Sequence, residues 1–334
     1  MDTELSSPRI AFLFEHAEWF QPLFAALDRR GLRYDKLLAT ELSYDPRERN
    51  SPYALVVNRM SPSAYLRGHG NAIFFVREYL RYLKEIGVEV VNGYDAYLVE
   101  TSKAAQVDIF ERLGVRYPRT RLINHSSQAL RAAQGLEYPL VVKPNIGGSG
   151  AKIQLFHERG ELVSAVRSRT LDLGIDHTAL VQEFLPAEEG AIVRVEILNG
   201  KFLYAIKVFP PPGEGFNLCP ADICQEEQEA LTAPAENTGY CPATPEPAKR
   251  TMRIEACTPP PEATETALRI AKAAQLDIGG IEYLVNARDG ERYFYDVNAL
   301  SNFVTDAPHI VGFDPFERFV DYLRSRIPQE ALRN

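Results

Sequence analysis

Two pairs of strand-like runs, each closed by a tight-turn dipeptide, constrain this chain more than any other feature. Ile192–Leu198 and Lys201–Phe209 flank Asn199-Gly200. A two-residue turn of type I′ needs positive φ at both central positions, and Asn-Gly supplies this at the least steric cost. Residues 280–286 and Arg292–Asn298 flank a second turn at Asp289-Gly290. Side chains alternate along a strand with a period of two. Ile281, Tyr283 and Val285 are therefore expected on one face, and Glu282 and Leu284 on the other. On the partner run, Tyr293, Tyr295 and Val297 share a face, and Asp296 and Asn298 share the opposite one. The turn brings Glu282 opposite Asp296, and opposed Cβ atoms lie about 4.5–5.5 Å apart. Two carboxylates and an amide oxygen converging this way suit a hard cation such as magnesium. The plainer alternative is a solvated acidic face. The apolar and aromatic flanks count against it, because unpaired acids are costly in such surroundings.

A second constellation precedes the hairpins. Lys143 ends the apolar run 139–143, and Gly147-Gly148-Ser149-Gly150 follows within a few residues. Consecutive glycines let backbone N–H groups turn toward an anion, and a strand-end lysine adds fixed charge. The spacing is not that of a P-loop. The alternative is a flexible connector, but a lysine ending a buried strand needs a partner.

The first hundred residues alternate strand and helix patterns. Runs at 10–14, 54–58 and 88–91 read as strands. The run 19–30 reads as a helix capped by Gly31, and Ile73, Val76, Leu80 and Leu83 stripe a second helix that ends at Gly87. This order implies a small open sheet with helices on both faces. No Gly-x-Gly-x-x-Gly follows the first strand, so no dinucleotide site is expected there. From Ser102 a helix carrying Val107, Phe110 and Leu113 leads into a second α/β unit. Its strands lie at 140–143, 152–156 and 180–184, with a helix at 160–169. After the first hairpin, 210–261 is rich in Pro, Glu, Ala and Thr and reads as a long loop or insertion, of the kind that is functional or mobile. Helices at 263–275 and 313–326 complete the pattern.

The 334 residues suit two or three small domains, and 45% hydrophobic composition supports a sizeable core. A net charge of −8 argues against a general nucleic-acid or anionic-membrane binder. No secretory signal precedes the first strand and no run of eighteen apolar residues occurs, so the expected location is the cytoplasm. Cys219, Cys224, Cys241 and Cys257 fall in one stretch, at spacings unlike common zinc sites. They read as idle thiols, with zinc or a disulfide as the alternatives. In the first domain, Arg59, Arg67 and His69 are candidates to meet a substrate carboxylate, against a plain structured loop. His16 follows the first strand, where open α/β sheets place ligands, against an ordinary surface or satisfied histidine.

Four stretches occur in an order that resembles the ATP-grasp ligases, and within them the RimK-type ribosomal-protein glutamate ligases and related α-aminoadipate ligases. They are Leu140-Val-Val-Lys-Pro-Asn-Ile-Gly-Gly-Ser-Gly150, Val181-Gln-Glu-Phe-Leu185, Gly280-Ile-Glu282 and Asp296-Val-Asn-Ala299. The resemblance covers roughly 92–302. It implies an α/β (α+β ATP-grasp) fold: a small open N-terminal α/β domain at 1–100, a central α/β lid domain at 101–185, and a C-terminal antiparallel-sheet domain at 186–334 with an insertion at 210–261. ATP would lie between the last two.

By the same resemblance, Lys103 and Lys143 contact ATP, Gly147, Gly148, Ser149 and Gly150 cover its phosphates, and Gln182, Glu183, Phe184 and Leu185 form the adenine hinge. The aspartate common in close relatives for the ribose aligns with Ile192, leaving Glu188 or Glu189. Arg194, Lys207 and Asn217 match catalytic positions, and Glu282, Asp296 and Asn298 match ligands of two magnesium ions, for which manganese can substitute. The implied activity joins a carboxylate to an amine through an acyl phosphate. The substrates would be amino acids, peptides or a carrier-attached acid, with no nucleic acid or membrane involved and homo-oligomerisation left open. The rivals are an ATP-grasp kinase, a non-catalytic nucleotide-binding module and a partner-binding protein working through 210–261.

Overall fold

The computed structural model describes residues 9–148, 150–210, 216, 218–221 and 252–327. Ser149, Asn217, Cys224, Cys241 and most of the 210–261 segment lie outside the described residues. Three sheets organise the chain.

The first sheet is wholly parallel, in the order β2-β1-β3-β4, from β1 (Arg9–Phe14), β2 (Tyr34–Leu38), β3 (Tyr53–Asn58) and β4 (Glu89–Val91). Parallel pairing requires crossovers, and here they put helices on both faces. Helix α1 (Gln21–Arg29) packs Leu23, Phe24 and Leu27 against Phe12, Phe14 and Val57. Helix α2 (Gly70–Glu85) packs Ile73, Val76, Leu80 and Leu83 against Ala11, Leu13 and Val56 on the other face. The expected capping glycine is in place. Gly31 has φ +64° and Leu32 N–H returns to the Leu27 carbonyl at 3.1 Å, which closes the α1 C-terminus. Strand β2 has no sequence signal, because it pairs only with β1 and no residue of it is fully buried.

Helices α3 (Tyr94–Glu100) and α4 (Lys103–Arg112) lead into the second sheet. It contains β5 (Thr120–Ile123), β6 (Leu140–Pro144), β7 (Gln154–Phe156) and β8 (Ala179–Glu183), antiparallel in the order β5-β8-β6-β7. Helix α5 (Ala129–Ala132) and helix α6 (Arg159–Ser168) cover one face, where Leu162 and Ala165 meet Leu140, Val142 and Val181.

The third sheet holds both hairpins, in the order β11-β10-β9-β12-β13. Its strands are β9 (Ile192–Leu198), β10 (Lys201–Phe209), β11 (Arg253–Ala256), β12 (Ile278–Val285) and β13 (Arg292–Asn298). Asn199 and Gly200 take φ of +52° and +66°, as a type I′ turn requires. Helix α7 (Pro261–Ala273) packs Ala263, Ala267 and Ile270 against Val193, Val195 and Ile281. Helix α8 (Ala307–Val311) and helix α9 (Pro315–Arg326) follow, and Phe319 and Leu323 of α9 join the core around α1. Among the described residues no helix is long and apolar enough to cross a membrane.

Two expectations need correction. The 210–261 segment is not loop throughout, since residues 253–256 form β11, antiparallel to β10. Three of the four β11 residues are exposed, so no apolar alternation marks it in the sequence. The second is the parity of β13. A β-bulge falls between Glu282↔Asp296 and Tyr283↔Phe294, leaving Tyr295 as the extra residue. Beyond it the alternation inverts. Phe294 joins Tyr283, Ile281 and Val297 in one core, while Tyr293 and Tyr295 face the other side with Leu284.

The first and third sheets are stapled by Asn92. Its side-chain Nδ2 donates to the Ile278 and Ala299 carbonyls at 2.7 and 2.8 Å, and its Oδ1 accepts from Asp277 N–H at 2.8 Å and Ile278 N–H at 3.2 Å. Gln106 on α4 works similarly on the sheet's edge, pairing with both the N–H and the carbonyl of Val297 at 3.2 and 2.9 Å. Asn92→Ala leaves several buried backbone groups unpaired, so denaturant unfolding should show a loss of about 3 kcal/mol.

Candidate active site

A cavity of about 790 Å³ opens between the second and third sheets, with loops of the first sheet closing part of it. Lys103, Lys143, Gly147, Gly148 and Gly150 line it, as do Gln182, Glu183, Phe184 and Leu185. So do Arg194, Glu282, Asp296 and Asn298. The structure does not bring Lys207 and Glu189 to this wall. They pair with each other at 2.8 Å, and Lys207 holds the Glu189 carboxyl below its usual range. Asn217 and Ser149 fall outside the described residues.

Asn145 sets the two lysines. Its carbonyl accepts from Lys103 N–H at 3.1 Å and its Oδ1 from Ala104 N–H at 2.9 Å, so the start of the glycine loop is tied to the first turn of α4. Ser102 caps that helix through Ala105 N–H at 3.2 Å. Lys143 is the last residue but one of β6 and is buried in the sheet, and its ammonium group makes no hydrogen bond or ion pair among the described residues. Burial, helped by the neighbouring Lys103 charge, lowers its pKa to about 8. Lys103 also suffers from burial, but Asp296, bonded to it at 2.5 Å, together with Glu100 and Glu282, raises its pKa overall.

Arg194 is the electrostatic centre of the floor. Its side chain is 6% exposed, with Nε donating to Glu196 Oε1 at 2.6 Å and an Nη to Glu282 Oε1 at 2.9 Å. Burial works against the guanidinium charge, yet Glu196 and Glu282 outweigh it and push the pKa up. The β9–β12 register places Arg194 beside Glu282, and the β12–β13 register places Glu282 beside Asp296. Asn298 Nδ2 donates to Glu282 Oε1 at 3.2 Å, which turns its Oδ1 away from that carboxylate. Gly280 makes the bed for Arg194, since a Cβ there would sit 2.6 Å from Nε.

The donor set suits magnesium: two carboxylates and an amide oxygen, all hard, leaving positions for phosphate oxygens. Among the described residues no group of three His, Cys, Asp or Glu converges on a metal position, so Asn298 is needed to complete this set. Cys219 and Cys257 are not joined in a disulfide, and burial raises the Cys257 pKa to about 11. Zinc has no support among the described cysteines.

The first-domain candidates are used otherwise. Arg67 forms a two-point pair with Glu15 at 2.8 and 2.6 Å and lies 4.6 Å over the Trp19 ring. His69 Nδ1 shares the same carboxylate at 2.5 Å. Arg59 is 2% exposed, bonded to the Ser301 carbonyl and packed over Phe20 at 5.3 Å. His16 packs its ring 5.9 Å from Trp19.

Sequence reasoning missed Glu196, Glu100 and Tyr295. Glu196 lies two residues from Arg194 on one strand, hence on the same face, and that spacing was the available signal. Glu100 lines the cavity, and burial raises its pKa to about 7 against the pull of the Ala299 N–H and Lys103.

Known proteins resemble this chain in sequence and in fold. Residues 100–214 match the RimK-like ATP-grasp domain. The carbamoyl phosphate synthase large chain of Thermus thermophilus is 35% identical over 104 residues, 30% of this chain and 10% of that protein. A probable alpha-L-glutamate ligase 2 of Shewanella frigidimarina is 26% identical over 174 residues, 47% of this chain and 57% of its own length. The chain thus spans from a tenth to just over half of these relatives. The structure of ATP-grasp ligase PsnB, complexed with a minimal precursor, superposes with a TM-score of 0.65 at 17% identity, covering 96% of this chain and 99% of that one. The chain has the ATP-grasp fold, and its residues 100–214 are similar to the RimK-like ATP-grasp domain.

Gly280→Ala forces the guanidinium of Arg194 off its two carboxylates and should lower stability by about 3 kcal/mol in denaturant unfolding. Gly290→Ala, at φ +72° with open space around it, should cost only about 1 kcal/mol.

Proposed function

We propose that this chain is an ATP-dependent ligase that joins a carboxylate to an amine and releases ADP and phosphate. The observation that carries the reading is the convergence of Lys103, Lys143, the glycine loop, Arg194 and the Glu282–Asp296–Asn298 set on one cavity. In this reading residues 1–100 form the first domain, 101–185 the lid and 186–334 the base. The relatives and structural neighbours include ligases of this kind.

The base of ATP would lie along the strand end at 182–185. The Gln182 and Glu183 side chains are committed to Thr120 at 2.7 Å and Arg119 at 3.2 Å, and the Glu183 and Phe184 N–H groups to the Arg119 and Pro139 carbonyls, so the base would be read by the remaining backbone groups of this strand end. Lys143 and Lys103 would hold the phosphates, with the glycine loop closing over them. Two magnesium ions, or manganese in their place, would be held by Glu282, Asp296 and Asn298 and would neutralise charge on the β- and γ-oxygens.

A substrate carboxylate oxygen attacks the γ-phosphorus, and the bond to the β–γ bridging oxygen breaks, giving an acyl phosphate and ADP. The amine then attacks the acyl carbon. The carbon–oxygen bond to phosphate breaks, the amine loses a proton, and phosphate departs. Arg194, held between Glu196 and Glu282, orients the carboxylate and stabilises the acyl phosphate. Pro62 and Ser63 approach Gly148, placing atoms 3.5 and 3.6 Å from a Cβ built there, so the closed loop shields the intermediate from water.

ADP release should depend on the amine, and hydroxylamine should trap the activated acid. ADP formed without the amine and without a trappable acyl group would instead identify a kinase. Asp296→Asn should cut turnover by on the order of a hundredfold or more while the protein stays folded. Near-normal turnover in that variant removes the metal assignment.

Lys143 also predicts a pH dependence. Its ammonium form binds phosphate, and in the free protein that form is lost as pH rises through about 8. Magnesium–ATP affinity, measured by calorimetry, should therefore fall on the alkaline side by up to about tenfold per pH unit. Lys143→Met should bind weakly at all pH values and flatten that slope.

A further inference from the structure

The part of the cavity wall that abuts the first sheet differs chemically from the rest. Trp19, from the turn after β1, and Pro62, from the loop after β3, line it together with Leu218, Leu300 and Phe303. Ser61, Ser63 and Asn302 supply its polar groups, and the two serine hydroxyls are bonded to each other at 2.8 Å. This wall connects to the catalytic floor. Ser301 donates its hydroxyl to Glu196 at 2.9 Å, and Glu196 holds Arg194 at 2.6 Å.

The cations behind the wall are already occupied. Arg67 spends its guanidinium on Glu15, whose side chain is fully buried, and on the Trp19 ring. Arg59 bonds the Ser301 carbonyl and packs between Phe20 and Phe319, 5.3 and 5.9 Å away. The carboxyl side chain that does line the cavity nearby is Glu100. A second carboxylate on a substrate seated here would face apolar side chains, the neutral groups of Ser61, Ser63 and Asn302, and another acid.

We infer, resting on the ligase reading, that the activated carboxylate is carried on an apolar or aromatic body with a single negative charge. Its carboxylate faces Arg194, and its body lies against Trp19, Leu300 and Phe303. Removing a leucine-sized group from water against such a wall favours it by about tenfold or more in affinity. An unpaired carboxylate in the same place is penalised.

Trp19 is the single tryptophan of the chain, so its emission reports directly on occupancy of this wall. The full-length protein, loaded with magnesium and a non-hydrolysable ATP analogue, is titrated with 3-phenylpropionate and L-leucine, and separately with L-glutamate and L-aspartate. The apolar acids should change the Trp19 emission and bind about tenfold or more tightly than the dicarboxylates. Equal or tighter binding of glutamate or aspartate overturns the inference, as does an emission that no acid alters. The same acids are then offered with a pool of amines while ADP is measured. If dicarboxylates alone drive amine-dependent ADP release, the ligase reading stands and the apolar subsite falls. If apolar acids bind at Trp19 but no pair drives ADP release, the subsite stands and the ligase reading falls.

Discussion

A buried guanidinium between two carboxylates fixes the centre of this molecule. Arg194 cannot lie across β12 unless position 280 lacks a side chain, and it cannot stay charged there without Glu196 and Glu282. Breaking such a buried pair by removing one partner costs about 3–5 kcal/mol, so the two strands that supply it, β9 and β12, are locked in register. The β12–β13 register in turn sets Glu282 opposite Asp296. The Arg194 cluster therefore does two jobs at once. It builds the third sheet, and it spaces the oxygens that suit a cation.

The surrounding units are held to this centre by polar staples rather than by apolar area alone. Asn92 ties the first sheet to the ends of β12 and β13. Arg59 reaches across to the Ser301 carbonyl. Asn145 fastens the glycine loop to the start of α4, and Lys103 of that helix meets Asp296. Each staple saturates backbone groups that would otherwise be buried and unpaired. Together they carry two lysines, one arginine and three candidate oxygen ligands to one cavity from five separate elements, α4, β6, β9, β12 and β13.

Much of this was legible in the sequence, for identifiable reasons. Asn199-Gly200 dictates its turn chemistry, Gly31 its cap, and the stripe from Ile73 to Leu83 its face, because each signal is local. Strands β2, β5 and β11 were not legible. They are short and flank their sheets, so neither face is fully buried and no apolar alternation marks them. The parity of Tyr295 failed because a bulge inserts one residue, and nothing local in Tyr293-Phe-Tyr-Asp296 announces it. Arg59, Arg67 and His69 looked free for a substrate because their partners, Glu15 and the Ser301 carbonyl, lie 52 or more residues away in sequence. The position of Lys207 likewise depends on Glu189 across the hairpin.

The central claim is that a carboxylate oxygen attacks the γ-phosphate of ATP. It is tested most directly with the acid–amine pair that drives ADP release, the acid carrying heavy oxygen in its carboxylate. Mass spectrometry of the released phosphate then follows the label. The account predicts one labelled oxygen in each phosphate and one retained in the amide. Phosphate free of label, with the second heavy oxygen leaving as water or with a phosphate ester accumulating instead of an amide, would contradict it.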